Sequence, residues 1–289
     1  MRVGIFTIVK NEHDYLDEWL QYHLNTFPEL TQIYVFDDPF SKSHKDICTK
    51  YKKVTSLNSL SIFPQNRQKD ILNRKDYKNT ELPRQVSYMY EILNYLKKNT
   101  NLDWVFYIDV DEFLTYQEGV KNSLDGILRH FCFYDILVLS WKNFGANGHI
   151  YKPNGKTLEI YTTSCSLAVG SRMDINGASK ECFNLHRWNP NTIKANHHIP
   201  TKAVWCKTNF SKKMSDVVYD KIYIRHYITR SFEEFCYKIF IRGQFYGSKC
   251  LNNFFHFNKD IEKNNPEVQK ILNSYKERFF SGELNFSLY

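Results

Sequence analysis

The residues best equipped for chemistry sit together at Trp104-Val105-Phe106-Tyr107-Ile108-Asp109-Val110-Asp111-Glu112-Phe113-Leu114, where an unbroken apolar run meets three acids. On an extended strand, Asp109 and Asp111 project to one side while Val110 turns back inside. Two hard oxygen donors so placed suit Mg²⁺ or Mn²⁺, with coordination positions left over for phosphate oxygens. The plain alternative is a buried strand that ends in soluble residues, since Asp-x-Asp is a weak pattern by itself.

Two further groups carry similar chemistry. A first strand over Val3–Val9 exits at Lys10-Asn11-Glu12. A strand that runs directly into a helix presents backbone N–H groups to an anion, and these three side chains can meet the base, ribose and phosphate of a nucleotide. Equally, Asn11 can cap the helix and Glu12 can complement its dipole. Asp37 closes the next predicted strand and reads either as a ligand or as an ordinary turn acid. All three groups fall at carboxyl ends of predicted parallel strands, which is where open α/β sheets bind their ligands.

The elements that must position these groups follow from periodicity. Glu12–Thr26 carries Leu16, Trp19, Leu20 and Leu24 at helical spacing. A strand over Gln32–Phe36, a short helix around Lys42–Lys52 and a strand near Leu60–Phe63 are expected next. Pro83 opens a helix to Lys98 with Val86, Met89, Leu93 and Leu96 on its buried face. The Trp104–Ile108 strand follows, apolar enough to be buried on both faces. This β-α-β-α order predicts an open parallel sheet with helices on both sides. Further on, the pattern predicts a helix over Ser123–Phe131 and strands over Ile136–Trp141 and Ile222–Tyr227. Ser231 with Glu234 forms a capping box for a helix through Ile241, and a last helix runs from Pro266 to about Phe279. The simplest organisation is one domain over residues 1–243 with a helical C-terminal extension, 244–289, packed on it.

Composition narrows the class. Hydrophobic residues make up 42% and no apolar run approaches a bilayer-spanning length, which predicts a folded soluble chain. No secretory signal is visible and the seven cysteines lack C-x-x-C pairing, so reduced thiols in the cytoplasm are expected. The net charge of +8 favours an anionic partner without choosing among nucleic acid, membrane and nucleotide. The cationic surface and aromatic C-terminal tail would suit peripheral attachment to an inner membrane.

The motifs resemble the glycosyltransferase family 2 and family 92 group. The likeness lies in Val9-Lys10-Asn11-Glu12 with Glu18-Trp19-Leu20 and His23, in Asp109 to Leu114, and in Trp141-Lys142-Asn143-Phe144-Gly145. His226-Tyr227, Ser231, Lys238 and Arg242-Gly243 extend it toward family 92. The resemblance covers about Val3 to Gly243. It implies a GT-A fold and an inverting, Mn²⁺-dependent (or Mg²⁺-dependent) transfer of a hexose, typically galactose, from a UDP-sugar. The acceptor it implies is a hydroxyl of a glycan or lipid-linked glycan. By position, Thr7, Lys10, Asn11, Glu12 and Asp37 would contact uridine, and Arg84 or Gln85 would help hold the donor. Asp109 would meet the ribose or the metal, Asp111 would ligate the metal, and His226 would be a third ligand. The base that takes the acceptor proton stays open among Asp174, Glu181 and His198, and Lys180 could instead neutralise phosphate. The loop Asn143 to His149 is a candidate acceptor site.

Two rivals differ in kind. A nucleotidyltransferase would normally carry a glycine-rich phosphate loop where Lys10-Asn11-Glu12 stands. A non-catalytic RNA-binding module would present aromatics on a strand, whereas here acids occupy the ligand rim and repel phosphate. Nucleic acid is therefore not expected as a partner.

Overall fold

The computed structural model describes residues 1–73, 84–120, 123–164, 179–189, 203–205, 221–240 and 249–280. They form strands β1 (Val3–Val9), β2 (Gln32–Asp37), β3 (Val54–Asn58), β4 (Trp104–Tyr107), β5 (Glu112–Tyr116), β6 (Ile136–Asn143), β7 (Ser179–Asn184), β8 (Ala203–Trp205) and β9 (Ile222–His226). The helices are α1 (Leu16–Thr26), α2 (Lys45–Cys48), α3 (Gln65–Asn73), α4 (Arg84–Asn99), α5 (Leu124–His130), α6 (Thr157–Ile160), α7 (Phe232–Phe240), α8 (Lys249–Phe257) and α9 (Pro266–Phe280). The chain divides into two compact units. One comprises Met1–Arg74, Thr80–Lys142 and Val169–Arg225; the other comprises Lys75–Asn79, Asn143–Ala168 and His226–Tyr289.

The first unit is built on the sheet, whose order is β3-β2-β1-β4-β7-β6-β9-β5, with β8 beside β6. Strands β3, β2, β1 and β4 are mutually parallel, and β7 runs antiparallel to both β4 and β6. This is the open, mostly parallel, Rossmann-like α/β sheet expected. All four residues of β4 are buried, as a strand covered on both faces requires. Gly4 lets β1 lie close to its neighbours, since a Cβ there would come within 2.6 Å of Leu102 Cδ1 and 3.1 Å of the Gln32 carbonyl oxygen. On one side of the sheet Tyr88, Met89, Ile92, Leu93 and Leu96 of α4 pack with Phe6, Val105, Tyr107, Val138 and Phe183.

Helix α1 buries Leu16, Trp19, Leu20 and His23, one helical stripe. It also holds β5 by hydrogen bonds. Trp19 Nε1 donates to the Glu112 carbonyl at 2.7 Å, and His23 Nε2 accepts from the Leu114 N–H at 3.1 Å. His23 Nδ1 in turn donates to the Trp19 carbonyl at 2.8 Å, which fixes the ring as neutral with its proton on Nδ1.

The second unit has its own core, in which α7, α8 and α9 bring together Phe232, Phe235, Ile239, Phe254, Val268 and Leu272. The capping box expected at Ser231 is present. Ser231 Oγ accepts from the Glu234 N–H at 3.2 Å, and Glu234 Oε2 accepts from the Ser231 N–H at 3.2 Å. Tyr161 reinforces it, donating to Glu234 Oε2 at 2.5 Å and accepting from the Ser231 N–H at 3.1 Å.

Several elements differ from expectation. The strand placed near Leu60–Phe63 lies instead at Val54–Asn58, and Ser59–Ile62 is a 3₁₀ turn. Helix α1 begins at Leu16 rather than Glu12, with a turn between. The acids Asp109 and Asp111 lie in a turn between β4 and β5, not on a strand. Among the described residues no helix is long and apolar enough to cross a membrane.

Candidate functional site

The sheet order reverses between β1 and β4: the chain steps outward from β1 to β3 and then returns to lay β4 on the other side of β1. Open α/β sheets bind ligands at such a switch point, beyond the carboxyl ends of the strands. Here the two exits that flank it are Lys10-Asn11-Glu12 after β1 and the acid turn after β4.

After β1 the backbone amides are engaged. Asn11 adopts φ +54° and its N–H donates to Ser41 Oγ at 2.9 Å. The Glu12 N–H donates to Nε2 of His44 at 3.0 Å, so the His44 proton resides on Nδ1, which donates to Asp37 Oδ1 at 2.7 Å. The Asp37 carboxylate also accepts from the His44 N–H, from Ser43 Oγ at 3.0 Å and from Ser56 Oγ at 3.4 Å. His13 stacks on His44 at 3.9 Å between ring centroids. Asp37 thus ties the exits of β1, β2 and β3 into one rigid rim. The expectation of amides offered by a helix start gives way to this: the helix starts later, and side chains have taken the amides. Thr7 is fully buried on β1, and its hydroxyl has no hydrogen-bond partner.

After β4 the geometry is tighter. The Glu112 N–H donates to the Asp109 carbonyl at 3.0 Å, closing a reverse turn, and the Asp109 N–H donates back to Glu112 Oε2 at 2.8 Å. Lys180, on β7, reaches this turn from the strand next to β4. Its Nζ donates to Asp109 Oδ2 at 2.6 Å, lies 3.5 Å from Glu112 Oε2 and stands 4.0 Å from the centre of the Tyr107 ring. Lys180 and Glu112 are buried, whereas the Asp109 side chain is 27% exposed. Burial works against the Lys180 charge, but Asp109 and Glu112 outweigh it and raise its pKa well above the usual value. Burial, against the pull of Lys180 and helped by Asp109 and Asp111, lifts Glu112 well above the ordinary carboxylate range. Lys180 thus makes its short contact with Asp109 at 2.6 Å and its longer one with Glu112 at 3.5 Å, while Glu112 closes the turn by accepting from the Asp109 N–H.

Glu181, the next residue of β7, faces Val138 across the β6 pairing. It is fully buried and neither carboxyl oxygen has a hydrogen-bond partner. Burial pushes its pKa up to about 7, against the nearby Lys180 charge. Of the three candidate bases, Asp174 and His198 lie outside the described residues. Arg84 and Gln85 open α4, and their side chains also lie outside the description.

In the second unit, His226 is buried and its Nδ1 donates to Asn143 Oδ1 at 2.9 Å. Metal-binding imidazoles are commonly oriented in this way. The loop expected to receive an acceptor is well tied within this unit: Asn143 is buried, Phe144 stacks on Tyr227 and the Ala146 N–H donates to Asn258 Oδ1 at 2.5 Å.

Asp109 and Asp111 are hard oxygen donors on one short turn, so their chemistry fits Mg²⁺ or Mn²⁺. The condition attached is that Lys180 already holds one oxygen of Asp109. Among the described residues no three His, Cys, Asp or Glu side chains gather as a complete ligand set. Sequence reasoning missed His44, which sits in a polar stretch that looks exposed. It also missed the union of Lys180 with Asp109, for which no local signal exists across 71 residues.

No protein-family model matches the chain, and no curated protein matches it. Solved structures with a similar chain path include S. aureus TarS 1-349 in complex with UDP-GlcNAc, at 14% identity and a TM-score of 0.37, covering 95% of this chain and 80% of that one. The same protein in complex with UDP aligns at 13% identity and a TM-score of 0.36, covering 96% and 78%. Mannosyl-3-phosphoglycerate synthase from Rubrobacter xylanophilus aligns at 11% identity and a TM-score of 0.35, covering 64% and 53%. Likeness at this level carries no weight for fold or function, which rest on strand order and site geometry.

Proposed function

We propose that the chain is a glycosyltransferase that moves a hexose, galactose by preference, from a UDP-sugar to a hydroxyl of a glycan or glycolipid, with inversion. The observation that carries this reading is the pairing, at the sheet's switch point, of Lys10-Asn11-Glu12 with the acid turn Asp109–Glu112. A cationic exit beside an acidic one is what a sugar nucleotide chelated to a cation needs. The rim that Asp37 and His44 make rigid gives the nucleoside a fixed wall.

Asp109 and Asp111 would hold the divalent ion, Mn²⁺ or Mg²⁺. Once bound, it would supply positive charge to the leaving nucleotide diphosphate. Lys10 would steer the phosphates, and Glu12 and Asp37 would orient the nucleoside. A carboxylate or imidazole must take the acceptor proton as its oxygen attacks the anomeric carbon. The base stays open among Asp174, Glu181 and His198; Glu181 pairs with Val138 on the buried side of β7, opposite to the side from which Lys180 reaches Asp109.

The test is a screen of nucleotide-sugars for turnover in the presence and absence of Mn²⁺. A UDP-sugar is expected to be consumed with Mn²⁺, and Asp111→Ala is expected to lower that turnover by more than about tenfold without changing thermal stability. Full activity in Asp111→Ala would remove the metal assignment. Absence of turnover with every sugar nucleotide would remove the transferase reading.

A further inference from the structure

We propose that Lys180 is a positioning residue that takes the cation's place beside Asp109 in the free protein, so that a divalent ion enters only together with a nucleotide diphosphate. The inference rests on the sugar-nucleotide reading above. Lys180 Nζ is 2.6 Å from Asp109 Oδ2 and 3.5 Å from Glu112 Oε2, and its ammonium faces the Tyr107 ring at 4.0 Å. At 1% exposure, and fixed on a strand hydrogen-bonded to both β4 and β6, it cannot retreat into water as a surface lysine would. A divalent ion held by Asp109 would stand beside this ammonium, which is 2.6 Å from the same carboxylate. Like charges that close, in a partly buried place, repel strongly unless anions are added. A nucleotide diphosphate brings those anions.

The experiment follows free Mn²⁺ by electron paramagnetic resonance with the full chain, using UDP as the probe. The wild-type protein is expected to take up little Mn²⁺ alone and to bind it when UDP is added. Lys180→Met should bind Mn²⁺ without UDP at least about tenfold more tightly than wild type, because a like charge has been removed. A purely structural role for Lys180 would leave that affinity unchanged or lower it. If Lys180→Met does not fold by circular dichroism, the paired variant Lys180→Met with Glu112→Gln removes both buried groups and carries the same measurement. Equal Mn²⁺ affinity of wild type and variant without UDP overturns the proposal while UDP-dependent Mn²⁺ uptake keeps the donor reading intact. No uptake by wild type even with UDP overturns both.

Discussion

His23 and Glu181 are buried ionisable residues with opposite consequences for stability. Burial of the ring away from water lowers the His23 pKa from 6.5 to about 3, against the Trp19 carbonyl, which favours the charged form. The unfolded chain therefore binds a proton below about pH 6.5 that the folded chain refuses, and this contribution is lost as pH falls from 6.5 toward 3. At about 1.4 kcal/mol per pKa unit, the full loss is roughly 5 kcal/mol. Urea unfolding between pH 7 and pH 4 should show stability falling steeply in wild type. The fall should be shallower in His23→Gln, which is less stable at pH 7 but has no proton to gain; parallel curves would remove the assignment. Glu181 behaves the other way. Its pKa is raised from 4.5 to about 7, so the folded state keeps a proton that the unfolded state releases, and stability falls as pH rises through that window. Glu181→Gln should accordingly raise the melting temperature at pH 8 and change it little at pH 4.5. A variant that is destabilised equally at both pH values would show that the carboxyl has a partner.

At the scale of elements, the second unit offers a clean test of local chemistry. Ser231 caps α7, Glu234 returns the bond, and Tyr161 ties both to the segment before the helix. Ser231→Ala should cost about 1 kcal/mol in urea unfolding, within the range of lost N-caps. Tyr161→Phe, which removes the hydroxyl alone, should add to that loss less than its separate cost, since the two groups share Glu234. Strict additivity would mean that the network is not one unit. That capping box was legible because serine and glutamate at this spacing announce a helix start whatever surrounds them. Strand β4 and the final helix were legible for a like reason, through long apolar or periodic runs. By contrast, β3 hid its identity because its polar Thr55, Ser56 and Asn58 lie at the sheet's end, while the apolar Leu60–Phe63 run forms a 3₁₀ turn that delivers Phe63 to the core. The acid turn misled for a different reason. Alternation fits Asp109 and Asp111 on a strand, but the hydrogen bond from the Glu112 N–H to the Asp109 carbonyl bends the chain there. The partners of these acids were illegible in principle, because Lys180 meets Asp109 only through the antiparallel pairing of β7 with β4.

At the scale of the whole molecule, binding and folding are linked, so the ligand can be read without turnover. Anything that binds the native state alone stabilises it by about 2.7 kcal/mol at a hundredfold excess over its dissociation constant. For a chain of 289 residues that corresponds to a rise in melting temperature of roughly 5 °C. The net charge of +8 gives every polyanion a weak, salt-sensitive attraction to the surface, so the comparison must be made at physiological ionic strength. UDP with Mn²⁺ should then raise the melting temperature by several degrees, whereas UDP alone and Mn²⁺ alone should each do little, because Lys180 keeps the ion out and the diphosphate lacks its counter-charge. ATP with Mn²⁺ carries at least as much negative charge and is the deciding control. Charge attraction predicts that ATP stabilises as well as UDP, whereas a nucleoside wall built by Glu12, Asp37 and His44 predicts that UDP wins. Equal shifts with the two nucleotides would leave a cation–phosphate site without the uridine selectivity that the transferase reading requires.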